Sequence, residues 1–159
     1  MLGTMPVVVV GADTPLGARV VAALAGRAGE IRAFVSDEAA GAALRERGLK
    51  VAVGDVSDAS HVGAAALGCF AAVLVEACTT DGRALDFAAD PAAVIDGWAG
   101  ALSEAGVRRI IWLGGAAGPP PPVRRAAPEV AGVRTDLLSA EAAAAEVARL
   151  DDAATLGGA

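Results

Sequence analysis

The sequence predicts a three-layer α/β domain in which a doubly wound parallel sheet is covered by helices on both faces. Three observations predict it. Short runs of branched aliphatic residues alternate with alanine-rich segments of helical length. The helical segments open on capping residues and several stop at glycine. The 159 residues suffice for one well-buried core, so a single domain is expected over residues 1–150, with 151–159 as a frayed tail.

The elements follow in order. The first strand is Pro6–Val10, and a helix runs from Pro15 to about Ala28, with Thr14 as N-cap and Pro15 at the first helical position. Its apolar face reads Leu16, Val20, Ala23, Leu24. Ile31–Val35 is the second strand; Ser36 or Asp37 caps a short helix to Arg47, which Gly48 stops. Lys50–Val53 is the third strand, and "GDVSD", Gly54 to Asp58, turns into a helix that ends near Gly68.

Phe70–Val75 is the fourth strand, followed by a polar loop, "EACTTDGRALDF", without clear periodicity. Asp90–Pro91 repeats the cap-then-proline start. Val94, Ile95, Trp98, Leu102 and Ala105 then trace one helical face up to Gly106. Arg109–Leu113 is the fifth strand, which gives a sheet order of 3-2-1-4-5. "GGAAGPPPPVRR" reads as neither helix nor strand, because glycine frees the backbone and the proline run removes its donors. Thr135 to Leu150 is a final helix, which could pack on the domain or form a homodimer seam through Leu137, Leu138 and Val147.

Composition excludes several classes. The net charge of −6 with a single lysine, Lys50, disfavours nucleic acid, and the pairs Arg108–Arg109 and Arg124–Arg125 read as caps of element ends. The longest apolar run, Val62–Val75, is about 14 residues against the ~20 that a membrane span needs. No basic residue precedes the first apolar run, so a secretory signal is not expected and a cytoplasmic setting is. Cys69 and Cys78 would lie roughly 30 Å apart along an extended strand, too far for a disulfide. With one histidine, His61, which reads as a solvated position, no metal site is expected.

The loop "GADTPLG", Gly11 to Gly17, carries the functional signal. Between a strand and a helix, glycines let the chain turn, let a pyrophosphate approach and let helix and strand pack closely. Gly11 and Gly17 meet the first and third needs, while Thr14 stands where the second glycine would be. Asp13 adds a carboxylate beside any phosphate. Asp13 or Thr14 is therefore expected to bond the first free amides of the following helix in place of a phosphate, which would leave the site self-capped and its cofactor weak or absent.

In order along the chain, "GADTPLG", "IRAFVSD", "VAVGDVSD" and "VRRIIWLGG" resemble the motifs of the atypical short-chain dehydrogenase/reductase group, in particular its NmrA-like, NAD(P)H-binding members. The group's loop reads G-A-T-G-x-L-G, which Gly11, Ala12, Leu16 and Gly17 match and Asp13 and Thr14 do not. The resemblance spans about Val7 to Gly115 and implies a Rossmann-type fold. It implies a cofactor site in which Gly11, Ala12, Asp13, Thr14, Pro15, Leu16 and Gly17 form the pyrophosphate turn. Asp55 and Val56 would then lie beside the adenine, and Ala77 and Cys78 near the nicotinamide side.

After the second strand an arginine would pair with a 2′-phosphate, whereas this chain has Ser36 and Asp37. Asp37 stands about twenty residues beyond Gly17, where a carboxylate can accept from a ribose hydroxyl, which favours NAD over NADP. Asp37 serves equally as a helix cap. Reductases of the group use a tyrosine assisted by a lysine. This chain has no tyrosine, and Lys50 begins the third strand. The serine usual after the fifth strand is replaced by Gly114 or Gly115, and many relatives extend further into a substrate-covering segment. No catalytic residue is assigned.

The resemblance thus implies a dinucleotide-binding sensor or regulator. The alternatives are an NAD(P)-dependent oxidoreductase or epimerase acting on a small-molecule substrate, and an interaction scaffold without cofactor. Cys78 reads as a small buried residue, Glu76 and Asp81 as carboxylates at the mouth of the crevice, and Trp98 and Trp112 as core anchors.

Overall fold

The computed structural model describes residues 4–156; readings that concern residues 1–3 and 157–159 lie outside the described residues. Six parallel strands form one sheet in the order β3-β2-β1-β4-β5-β6. They are β1 (Val7–Val10), β2 (Ile31–Val35), β3 (Lys50–Val53), β4 (Ala71–Val75), β5 (Arg109–Gly114) and β6 (Glu129–Arg134). The helices are α1 (Pro15–Leu24), α2 (Glu38–Glu46), α3 (Ala59–Ala66), α4 (Pro91–Ala105), α5 (Pro121–Arg124) and α6 (Ala140–Asp152).

The two-residue alternation of a strand divides the core between the faces. Val8, Val10, Phe34, Leu74, Ile110 and Trp112 meet Val62 of α3, Val94, Trp98 and Leu102 of α4, and Val123 of α5. Val7, Val9, Val35, Val73, Ile111 and Leu113 meet Val20, Val21 and Leu24 of α1, Leu44 of α2, and Val147 and Leu150 of α6. Since the four residues of β1 are all buried, each valine there adds to one face or the other. At Trp98 the buried indole Nε1 donates to Val56 O at 2.8 Å, so the ring enters the core with its polar atom satisfied.

The first five strands and four helices lie in the order expected, and the sheet continues into a sixth strand. β6 pairs with β5 from Arg109↔Glu129 to Gly114↔Arg134. Its local signal is weak because it is an edge strand with Gly132 opposite Trp112, and only Val133 is fully buried. Gly132 leaves room for Pro119, whose Cδ would lie 3.0 Å from a Cβ there. The proline run is not wholly irregular: Pro121 and Pro122 open the single turn of α5, where the missing amides would have no carbonyl to reach in any case.

Other boundaries shift for similar reasons. α1 ends at Leu24 instead of Ala28, and Val21 instead of Ala23 completes its buried face. Residues to Arg134 belong to β6, so the final helix starts at Ala140, not Thr135, with Ser139 as cap. Asp136 pairs with Arg134 ahead of it. The helix packs on α1 through Ala143, Ala144, Val147 and Leu150, while Leu137 and Leu138 stay exposed. It also runs through Asp151, which is buried and accepts from Arg27 Nε at 2.9 Å.

Arg109 is fully buried, a place its position in a basic pair did not foretell. Its Nη1 donates to the carbonyls of Leu150, Asp151 and Ala153 at 2.9, 3.1 and 2.7 Å, and its Nη2 meets Glu129 Oε2 at 2.9 Å. It therefore does cap an element end, but one that arrives from forty residues away. The negative end of α6 and the Glu129 carboxylate compensate the guanidinium charge.

Candidate functional site

β1 has β2 on one side and β4 on the other, so the winding reverses at its carboxyl end, where a crevice opens above the sheet. The Gly11–Gly17 turn sits in that crevice. Gly11 has a φ of +89°, a conformation that a side chain would strain, and its amide and that of Ala12 both donate to Phe34 O. A Cβ on Gly17 would lie 2.0 Å from Gly11 O, so only glycine lets α1 come this close to the end of β1.

Thr14 resolves the apparent defect of the loop. Its backbone is extended, at φ −80° and ψ 157°, which needs no glycine. Its hydroxyl donates to Gly11 O at 2.7 Å and accepts from Gly17 N at 2.8 Å, and the residue is 3% exposed. The β-branched side chain is folded into the loop and does not project into the crevice. As expected it caps the helix, taking one first-turn amide; Thr14 N goes to Gly11 O and Pro15 has none, which leaves the Leu16 amide for an incoming anion.

Asp13 does not bond the amides of α1. It turns toward β2, where Oδ2 accepts from the amides of Ser36 at 2.8 Å and Asp37 at 3.1 Å. Its Oδ1 meets Arg83 Nη1 at 2.9 Å, and Arg83 also donates to Ser36 Oγ at 3.2 Å. The carboxylate thereby leaves the phosphate approach and closes the turn after β2. Asp37 is the N-cap of α2, accepting from Ala40 N at 2.8 Å, with its side chain exposed at the crevice.

Two cavities flank the loop. The outer one, about 610 Å³, is lined by Asp13, Ser36, Asp37, Asp55, Asp81 and Arg83, among others. The inner one, about 220 Å³, lies against Leu16, Glu76, Ala77, Thr79, Gly114 and Thr135. A larger groove of about 750 Å³ between α3 and α4 is lined mainly by alanine and glycine and gathers no comparable chemistry. The crevice thus has an outer acidic half and an inner, mostly neutral one.

The loop after β4 straps the outer half, a feature that no local pattern announces. After a 3₁₀ turn, Glu76–Thr79, the chain crosses so that Asp86 N donates to Asp55 Oδ2 at 2.7 Å and Phe87 N to Ser57 Oγ at 3.0 Å. Asp55 Oδ1 accepts from the Ser57 amide and hydroxyl. Burial pushes the Asp55 carboxyl up, but the bonds from Ser57 and the Asp86 amide outweigh it and hold the group below its usual range. Asp81 is lowered too, first by its hydrogen bonds from Arg83.

A depressed carboxyl stabilises the fold above its unfolded value, near pH 4, and loses that contribution as pH falls through the lower folded value. The strap is therefore expected to loosen below about pH 4. Amide exchange at Asp86 and Phe87, corrected for intrinsic rates, should accelerate there, and Asp55→Asn should give similar acceleration at neutral pH. Equal protection at pH 3 and pH 6 would contradict this.

Of the other sequence-selected residues, Val56 is fully buried and Ala77 is exposed at the inner cavity. Cys78 is buried beneath Gly11, its Sγ 3.0 Å from where a Cβ on that glycine would stand, and burial pushes its thiol up to about 12. It supports the loop from below as an inert thiol. His61 is half-buried: it packs edge-on against Phe34 at 5.0 Å, in space left by Gly54. Cys69 and Cys78 are both free, and no cluster of metal-ligating side chains occurs among the described residues. No helix of the described residues is long and apolar enough to cross a membrane.

Of the two glycines that stand where a serine is usual, Gly114 ends β5 and a Cβ there would lie 2.4 Å from Trp112 Nε1 and 2.5 Å from Glu76 Oε1, whereas a Cβ on Gly115, just beyond the strand, would meet nothing within 4 Å. Glu76 Oε1 accepts from Gly115 N at 3.1 Å. Lys50 lies at the opposite end of the sheet from the crevice and pairs with Glu30.

These residues fit a dinucleotide in form. A helix amino end is approached by bare backbone, the threonine is withdrawn, and cavities lie on both sides of the turn. Residues 11–153 match the family described as NAD(P)H-binding. The chain belongs to the NAD(P)H-binding family. It is an NAD(P)-binding domain of Rossmann type.

Among solved structures, an anaerobillin reductase from Escherichia coli O157:H7 superposes with a TM-score of 0.69 at 19% identity, over 95% of this chain and 92% of that one. A protein described as an NAD-dependent epimerase/dehydratase from Bacillus halodurans gives 0.67 at 20% identity, over 96% and 91%. The NADP(H) complex of a triphenylmethane reductase from Citrobacter sp. gives 0.56 at 19% identity, over 92% of this chain but only 46% of that one. At such identities the likeness establishes the fold alone. A search of curated proteins finds no match.

Proposed function

We propose that this protein binds NAD(H) in preference to NADP(H), with the pyrophosphate at the Gly11–Gly17 turn, the adenosine in the outer cavity and the nicotinamide toward the inner one, and that it acts as a dinucleotide sensor or regulator. The observation that carries the cofactor reading is the acidic outer cavity. Asp13, Asp37, Asp55, Asp81 and Asp86 line it with a single guanidinium, that of Arg83. Carboxylates accept from ribose hydroxyls and repel a further phosphate. Ser36, Asp37, Asp55 and Val56 border the adenosine end; Ala77 and the segment around Cys78 border the other.

The sensor role is supported by what surrounds the inner cavity. There is no tyrosine in the chain, Lys50 is remote, and Glu76 is the one ionisable side chain among the residues that line this cavity. One observation favours a second reading, an oxidoreductase. The reductase from Escherichia coli is spanned over 92% of its length, so the size of this chain is no obstacle to that activity.

Calorimetric titration tests the reading. NADH should bind with a Kd at least about tenfold below that of NADPH, a difference of roughly 1.4 kcal/mol. Absence of heat with both would favour the cofactor-free scaffold. Oxidation of bound NADH by members of a carbonyl panel would favour the oxidoreductase over the sensor.

A further inference from the structure

The Asp13 carboxylate is bound as an anion would be bound. Two consecutive backbone amides at the end of β2, those of Ser36 and Asp37, converge on Oδ2, and a guanidinium from seventy residues away converges on Oδ1. The side chain is 6% exposed and Arg83 13%, so this is a desolvated, charge-assisted arrangement rather than a surface ion pair. It lies on the wall of the outer cavity, beside the turn where a cofactor of this fold presents its adenosine ribose.

The donor set matches what a 2′-phosphate requires: backbone N–H groups, a planar guanidinium and a hydroxyl, here Ser36 Oγ. We infer that Asp13 is a built-in substitute for the cofactor's 2′-phosphate and is the residue that excludes NADP(H), by occupying the donors that phosphate would need. This deepens the cofactor reading above and rests on it. The exclusion has two parts. The donors are already taken, and the carboxylate itself repels a dianion brought within a few ångströms.

Arg83 has a second tie. Its Nε donates to Asp81 Oδ1 at 2.8 Å and its Nη2 to Asp81 Oδ2, which fixes the plane of the guanidinium toward Asp13. Removing the Asp13 carboxylate would therefore leave an oriented cation and two amides facing the cavity, not a collapsed side chain. Asp13→Asn keeps the shape and an acceptor for Ser36 N while neutralising the repulsion. Asp13→Ala vacates the donors altogether.

The experiment titrates NADH and NADPH into the wild-type protein, Asp13→Asn, Asp13→Ala and Asp13→Ala/Arg83→Ala, with thermal melting as the check that each is folded. The NADPH-to-NADH affinity ratio should rise by about tenfold or more in Asp13→Ala, less in Asp13→Asn, and return toward the wild-type value in the double variant. A folded Asp13→Ala protein with the wild-type ratio would overturn the inference.

If none of the four binds either dinucleotide, the cofactor reading fails separately, and inorganic phosphate decides the remainder. A phosphate-dependent rise in melting temperature present in Asp13→Ala, and absent from both the wild type and the double variant, supports the internal-anion role. No such rise overturns it. Should Asp13→Ala not fold, Asp13→Asn carries the same two comparisons, with Asp13→Asn/Arg83→Ala as its double variant.

Discussion

Arg109→Met should lower the stability of this protein by about 3–5 kcal/mol, the largest effect expected of any single substitution considered for it. The guanidinium is fully buried, and its removal strands partners that have no replacement. Three carbonyls at the end of α6 lose their donor, and Glu129 keeps its charge with the Leu156 amide at 2.6 Å and the more distant charge of Arg108 as compensation. The Phe70 ring, 5.2 Å from Arg109 Cζ, loses a cation over its face.

For a domain of this size each kcal/mol corresponds to about 2–4 °C, so the melting temperature should fall by roughly 10 °C. Arg109→Lys should recover only part of that, because a point charge cannot reach several carbonyls and a carboxylate at once. Differential scanning calorimetry decides the matter. A midpoint for Arg109→Met within two or three degrees of wild type would show that α6 is held by its apolar face alone.

Gly17→Ala should weaken NADH binding by about 10–100-fold. The added methyl would meet Gly11 O at 2.0 Å, Thr14 Oγ1 at 2.8 Å and the Cα of Ala12 at 2.9 Å, none of them the far end of a flexible side chain. Either α1 moves away from β1 or the turn opens. Both displace the Leu16 amide and the bare backbone proposed to face the pyrophosphate.

Hydrogen bonds to charged groups contribute about 1.5–3 kcal/mol each and weaken steeply with misalignment, hence the size of the loss. Overpacking should also cost about 1–3 kcal/mol of stability. Gly100→Ala is the matching control, since a Cβ on Gly100 of α4 meets nothing within 4 Å. If Gly17→Ala melts below wild type yet binds NADH unchanged, the pyrophosphate does not rest at this turn.

Much of this could be read along the chain. The alternation of valine-rich strands and alanine-rich helices gave the first five strands their order, because each such segment carries its own period and its own cap. Thr14, Asp37 and Asp90 each accept from an amide three residues on, a local geometry that sequence spacing reports faithfully, whereas Ser139 does the same for a helix that was expected to start at Thr135. The glycine loop was legible for a similar reason, since Gly17 approaches the backbone of Gly11 six residues away and the turn itself asks Gly11 for a positive φ.

β6 was not legible, because an edge strand with a glycine at its centre needs no long apolar run and shows none. Nor was the strap. "TDGRALDF" has no period, and the partner that draws Arg83 to the crevice, Asp13, lies seventy positions earlier. Of the two residues expected to bond the amides of α1, Thr14 does so and Asp13 does not, for a related reason. The nearest donors in sequence were assumed to be the nearest in space, whereas the amides at the end of β2 are close only once β1 and β2 are paired.

By itself, then, the amino-acid sequence determined the class of fold, the winding of its sheet about β1 and the glycine turn at the carboxyl end of that strand, since these follow from periodicity, capping and backbone freedom within a few residues. Tertiary structure alone decided where the charges go. Arg109 ends under α6, Arg83 over the outer cavity, and Asp13 against the amides of a neighbouring strand. A buried charge is settled by whichever partners the assembled chain brings within about 3 Å, and those partners lie at separations for which the sequence has no period.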